Sequence, residues 1–282
     1  MTTYTRPADL PNFLNPPVVE VVLSIQFEQL AELRTPQVGL LWTKFRSDFP
    51  KIEERPPIQP VVERFGPHAM AKVGVRFEAL EIPPLARVLF LNSAEDQLVQ
   101  VQPDRFLHNW RKMAGAGPYP RYGTIREAFL REVDLFQSFL NEESMGTLRV
   151  TQCEVTYVNH IAGEGAWADH AEADRIFRVV GRPLAGRFLP VPEDVGMQIR
   201  YVIGSGGTTP PLGRFHVSIQ PGWRKPDNAA IYVLELTARG SPLAAGIDGA
   251  RSFFDIGHDW IVRGFKDLTT PAMHEIWRLT NG

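Results

Sequence analysis

The stretch Leu148 to Ile161, Leu-Arg-Val-Thr-Gln-Cys-Glu-Val-Thr-Tyr-Val-Asn-His-Ile, constrains this chain most, because it repeats near the middle the pattern of Val19 to Glu28. Side chains alternate between the two faces of a strand. Cys153, Val155, Tyr157 and Ile161 therefore share an apolar face, opposite Gln152, Glu154, Thr156, Val158 and His160. The earlier stretch splits in the same way, Val19, Val21, Leu23, Ile25 and Phe27 against Glu20, Val22, Ser24, Gln26 and Glu28. Glu20-Val21 lines up with Glu154-Val155, and Gln26 with His160. Two related halves, with opening strands that present polar side chains on one common sheet face, are the expectation.

The rest of the chain supports that division. Residues 1–17 hold four prolines and no periodicity, so they read as an extended arm. Thr35-Pro36 opens a helix with Val38, Leu41, Phe45 and Phe49 in one stripe, which Pro50 and the run Pro56 to Pro60 close before an irregular connection. Strands are expected at 61–66, 70–79, 86–92 and 97–102, with 105–112 either prolonging the last or bending away. Ile125, Phe129, Val133, Phe136 and Leu140 then mark the strongest helix, which ends near Gly146. The order recurs after the central strand: a short helix at 166–178, strands at 195–204, 213–221 and 229–239, and a long helix at 249–266. Its glycines Gly257 and Gly264 allow a close approach to the sheet. A last helix starts with Thr270 as cap and Pro271 as first residue.

Strand-helix-strands-helix thus appears twice, with corresponding elements roughly 130 residues apart, long enough for a compact unit. The expected fold is α+β: a tandem duplication forming one curved antiparallel sheet with helices on one face, like a TATA-binding-protein tandem. A helix-grip fold is the alternative. The chain divides into an arm (1–17), a first half (18–146) and a second half with the C-terminal helix (147–282).

Composition narrows the function. The formal net charge of −2 argues against duplex nucleic acid, which needs many cationic phosphate contacts. The single cysteine, Cys153, lies on an apolar face and fits a buried thiol in a reducing cytoplasm. No apolar signal core and no run of roughly 20 apolar residues is present, so neither secretion nor a membrane span is expected.

Four segments carry a resemblance: Asn15-Pro16-Pro17-Val18-Val19-Glu20-Val21-Val22; Gln102-Pro103-Asp104-Arg105-Phe106 with Asn109-Trp110-Arg111; Glu154 to Ile161; and Leu268-Thr269-Thr270-Pro271-Ala272-Met273-His274-Glu275-Ile276-Trp277. In that order they resemble a sporadically distributed bacterial family of uncharacterised proteins, over nearly the whole chain. The resemblance implies no activity or catalytic residue. Its patchy distribution implies a mobile or defence-related gene neighbourhood.

The candidate site is the polar sheet face, with Glu20, Gln26, Arg105, Glu154, His160, Arg200, His216 and Glu235 as binding residues and Gln100 and Gln102 alongside. Such a concavity suits a protein partner, of the kind a neighbouring gene would encode, or a small polar ligand; the bland alternative is the solvated side of a half-buried sheet. A hydrolase or lyase would use Glu154, His160 and His216 as acid–base groups. Glu154 and His160 stand roughly 20 Å apart along one strand at about 3.3 Å per residue, so each would need a partner from a neighbouring strand. Arg105, His108, Trp110, Arg111 and Lys112 mix cations and aromatics as single-stranded nucleic-acid binders do. Asp255, His258 and Asp259 have helical spacing for a metal or base, but a solvated ion-pair cluster is the favoured reading. No His-x-His or His-x-x-x-His pair occurs, so no metal and no cofactor is expected. Gly204 to Pro211 lacks the lysine and helix of a phosphate loop and reads as a hairpin loop.

Overall fold

The computed structural model describes residues 4–66, 86–115, 117–181, 186, 188–204, 210–225 and 227–281. In chain order these form β1 (Asn12–Phe13), β2 (Val18–Phe27), α1 (Thr35–Phe45), β3 (Lys51–Arg55), β4 (Arg87–Leu91), β5 (Gln97–Gln102), β6 (Arg105–Arg111), α2 (Tyr122–Glu142) and β7 (Val150–Ala162). A 3₁₀ turn at His170–Glu172 follows, then α3 (Ala173–Ile176), β8 (Met197–Ile203), β9 (Gly213–Arg224), β10 (Ala229–Gly240), α4 (Gly246–Leu268), α5 (Pro271–Ile276) and β11 (Leu279–Asn281).

Nine strands make one sheet in the order β3-β4-β5-β6-β2-β7-β10-β9-β8, and β1 pairs with β11 apart from it. Every neighbouring pair in the large sheet is antiparallel. The two opening strands lie side by side at its centre, with Val22 opposite Thr156. Three strands flank them on each side, and β3 extends one edge. Ser24 faces Glu154 and Glu20 faces Val158, so Glu20 and Glu154 share one face of one sheet.

The opposite face carries the core. Val21, Leu23 and Ile25 of β2 and Cys153 and Val155 of β7 are fully buried, under the helices that the hydrophobic stripes predict. Phe106 stacks on Phe136 of α2 at 5.0 Å between centroids, and Phe129 of α2 meets Phe254 of α4 edge-on at 5.4 Å. One hydrophobic cluster runs through both halves, from Phe13 to Trp277. Gly257 explains how α4 sits so low: a Cβ there would lie 3.1 Å from Ala238 Cβ and 3.2 Å from Val155 Cγ2.

Several expectations change in detail. The register shifts between Val18 and Glu20, so a bulge turns Val18 inward and leaves Val19 half-buried. Residues 51–55 form the edge strand β3, where a connection was expected; its Lys-Ile-Glu-Glu-Arg sequence has the charges that protect an edge but no apolar alternation. Pro103 and Asp104 turn the chain so that Arg105–Arg111 is a separate strand. The helix expected at 166–178 shrinks to residues 170–176. Thr35 is the first residue of α1, whose N-cap is Arg34. Thr270 does stand at the N-cap of α5, yet its hydroxyl donates to the Arg175 carbonyl. Residues 61–66 join no ladder, and the strand expected at 70–79 lies outside the described residues. No described helix is long and apolar enough to cross a membrane.

Candidate functional site

The polar sheet face is neither open nor simply solvated, because the chain covers part of it with its own residues 56–66. Pro56, Pro57 and Pro60 fix φ, lack N–H donors and bias their predecessors to extended backbone, so this segment cannot continue β3 as a ladder strand. It runs across the strands as a strap. Ile58 N–H donates to Gln102 Oε1 at 3.0 Å, and Gln102 Nε2 returns a bond to the Ile58 carbonyl at 2.9 Å. Val61 N–H donates to Gln26 Oε1 at 3.0 Å, and Glu63 N–H to Gln152 Oε1 at 3.2 Å. The anchoring side chains come from β5, β2 and β7. Five steps from β5 to β9 at about 4.8 Å need roughly 24 Å, and residues 58–65 supply about 23 Å when extended.

The far end of the strap is electrostatic. The Glu63 carboxylate accepts from Arg214, from His216 Nε2 at 2.6 Å and from Arg239 at 3.1 Å. Its side chain is only 5% exposed. Burial alone would raise its pKa, but the His216 hydrogen bond and the charges of His216, Arg239 and Arg214 outweigh that effect and hold the carboxyl below its usual value. Arg214 also donates to the Arg64 carbonyl and lies 4.7 Å from the centroid of the Phe65 ring.

Gln26 and Arg105 are buried under the strap, where Arg105 donates to Gln26 Oε1 at 2.7 Å and to the Gln59 carbonyl at 3.4 Å. Glu20 accepts from Asn109, which in turn accepts from Gln100 at 2.6 Å. Glu154 accepts from Arg239 Nε at 2.5 Å. Arg200, His216 and Glu235 line one hollow of about 220 Å³ beside the strap. His160 is exposed and its ring bonds to no described residue.

Glu154, His160 and His216 therefore form no common acid–base constellation. Glu154 is engaged by Arg239, and the cavity beside it is about 10 Å³, too small for a substrate. The basic-aromatic cluster does not assemble either. The His108 and Trp110 side chains are buried on the helix side, His108 against Glu132 at 2.8 Å and Trp110 against Tyr119, while Arg105 sits under the strap. The solvated reading of Asp255, His258 and Asp259 is corrected: His258 is buried against Tyr157, Asp255 is held by Tyr122 and Arg126, and only Asp259 pairs on its own helix, with Arg263. Residues 205–209 of the glycine-rich loop lie outside the described residues.

Four residues that build this site, Glu63, Gln152, Arg214 and Arg239, lie outside the set to which the sequence points. Arg239 had a visible signal, since it is the next residue after Glu235 and Thr237 on the same strand face, and Arg214 precedes His216 in the same way. Glu63 had none, because an acidic residue in a proline-rich segment shows nothing of what it will cross. No family model matches the chain, and no curated protein matches it.

Proposed function

We propose that this chain is a non-enzymatic binding protein that recognises an extended segment of a protein partner on the polar face of its sheet. The observation that supports this reading is the way the face holds residues 56–66: glutamine amides from three strands bond backbone groups, and one acidic side chain enters a pocket of two guanidiniums and an imidazole. Backbone recognition by side-chain amides accepts many sequences, and the cation pocket adds a requirement for one carboxylate. In this reading the strap is an internal occupant, and the partner's segment takes its place. The hollow with Arg200 and Glu235 then extends the contact past the strap's end.

The two halves fit a tandem duplication of the TATA-binding-protein kind. With Glu20-Val21 laid on Glu154-Val155, Val22 corresponds to Thr156, and these two residues pair across β2 and β7, as a two-fold axis between those strands requires.

The test is a pull-down with the full chain against proteins of neighbouring genes, repeated with Glu63→Gln and Arg200→Ala. Loosening the strap with Glu63→Gln should strengthen capture, and Arg200→Ala, which alters the hollow without touching the strap, should weaken it. Equal capture by all three chains, or turnover of a small molecule with no protein captured, would overturn the proposal. A synthetic peptide of residues 56–66 provides a defined probe: it should bind the Glu63→Gln chain more tightly than the unaltered one.

A further inference from the structure

A separate cavity of about 280 Å³ lies on the helix side of the sheet, where β7, the start of α2 and the middle of α4 meet the N-terminal arm. One wall is a buried polar chain. The Tyr119 and Tyr157 hydroxyls are 2.8 Å apart, and Tyr157 Oη is 3.1 Å from His258 Nδ1. Tyr122 stacks on the His258 ring at 3.9 Å between centroids, and Tyr4 meets Tyr122 edge-on at 4.8 Å. Burial, and then the charge of Arg6, push the His258 imidazole down to about 3, while burial raises Tyr157 well above its usual value. This chain of groups is therefore neutral at ordinary pH, and His258 Nε2 has no hydrogen-bond partner among the described residues. Phe13, Ile261 and Phe265 supply apolar walls.

The charge lies at the mouth. Arg6 and Arg121 both line the cavity, neither forms an ion pair with a described residue, and no Asp or Glu is among the lining residues. Arg6 donates to the Leu10 and Pro11 carbonyls and Arg121 to those of Phe13 and Leu14, so the arm holds both guanidiniums in place. Arg121 also has φ 73° and ψ 155°, a region that belongs almost wholly to glycine. A strained arginine at a cavity mouth is the kind of outlier that marks a ligand clamp, because an ordinary helix entry needs neither its strain nor its charge.

We propose that this cavity binds a small aromatic carboxylate, with its carboxyl group at Arg6 and Arg121 and its ring against Phe13, Ile261 and Phe265. The volume is near the lower end for small-molecule sites, which suits a single-ring acid. The Tyr–His chain offers hydroxyl and imidazole groups to a polar substituent on that ring. This inference does not rest on the reading of the polar face, which is on the other side of the sheet.

The experiment is calorimetric titration of the full chain with benzoate, phenylacetate and 4-hydroxyphenylacetate, each beside its uncharged amide. At least one acid should bind, with its amide weaker by at least about tenfold. Arg121→Gly, where the new residue adopts the same φ without strain, should retain the fold by circular dichroism and lose at least about tenfold in affinity. Tyr157→Phe, which keeps the ring packing, should weaken 4-hydroxyphenylacetate more than phenylacetate. No binding by any of the acids at about 10 mM, equal binding of acids and amides, or unchanged affinity in a folded Arg121→Gly chain would overturn the proposal.

Discussion

Glu63 Oε1 lies 2.6 Å from His216 Nε2, joining two residues 153 positions apart across the polar face of the sheet. The same carboxylate also meets Arg214 and Arg239, so one side chain fixes the far end of the strap to β9 and β10. Glu63→Gln keeps the shape but leaves three donors facing a neutral amide. Opening of the strap should become easier by about 2 kcal/mol, a typical value for hydrogen bonds to a charged group. The measurement is amide hydrogen exchange, with the Glu63 amide expected to exchange roughly thirty-fold faster and a smaller change at Val61, which Gln26 still holds.

Acid should act on the same contact with a defined sign. The Glu63 carboxyl is held below its usual value, so its stabilisation is complete above the ordinary carboxylate range and is lost as pH falls through the lower folded value. The strap should loosen below about pH 4. Carbon-detected titration of the Glu63 carboxyl checks this. Its midpoint should lie below the ordinary glutamate value of about 4.3, and the Gln152 side-chain amide, which accepts from the Glu63 N–H, should shift along with it.

Gln102 makes the only two-way stitch of the three glutamines, since it accepts from Ile58 N–H and donates to the Ile58 carbonyl. Gln102→Leu removes both bonds, at about 1 kcal/mol each. Exchange of the Ile58 amide should rise by roughly an order of magnitude or more, with a smaller change at Val61, which is held independently by Gln26. Equal changes at both amides would mean that the strap opens as one unit.

The parts of this fold that were legible in the sequence are those with local periodicity. Tyr232, Leu234 and Leu236 alternate as a strand facing a core must, and Ile125, Phe129, Val133 and Phe136 recur at helical spacing, so the main strands, the long helices and the covered face followed from short windows. The edge strand β3 was hidden because charge protects an edge and removes the alternation that reveals a strand. The strap was hidden for a different reason. Its bonds are made by Gln26, Gln102 and Gln152, whose separation from Ile58, Val61 and Glu63 is set by the folded sheet and by no local pattern. The aromatic cavity likewise draws Tyr4, Tyr119, Tyr157 and His258 from four distant segments. The helical spacing of Asp255, His258 and Asp259 suggested a solvated cluster only because the tyrosines that bury His258 lie elsewhere in the chain.

Two helical glycines should respond oppositely to alanine. Gly39 in α1 is exposed, and a Cβ added there would meet no described atom within 4 Å, so Gly39→Ala should stabilise the chain by about 0.5–1 kcal/mol through helix propensity alone. At Gly264 in α4 a Cβ would fall 2.6 Å from Phe215 Cε1 and 2.7 Å from Cζ, and that ring is buried. Overpacking costs about 1–3 kcal/mol, which exceeds the propensity gain of about 1 kcal/mol, so Gly264→Ala should be net destabilising in thermal denaturation. Phe215 lies between Arg214 and His216 on β9, the two residues that hold Glu63 from the opposite face. A methyl group pressed against that ring should therefore also loosen the strap, raising exchange at the Glu63 amide as Glu63→Gln does. Gly39→Ala should leave that amide unchanged. If Gly264→Ala lowered thermal stability without affecting the Glu63 amide, the coupling between the two faces through β9 would be refuted.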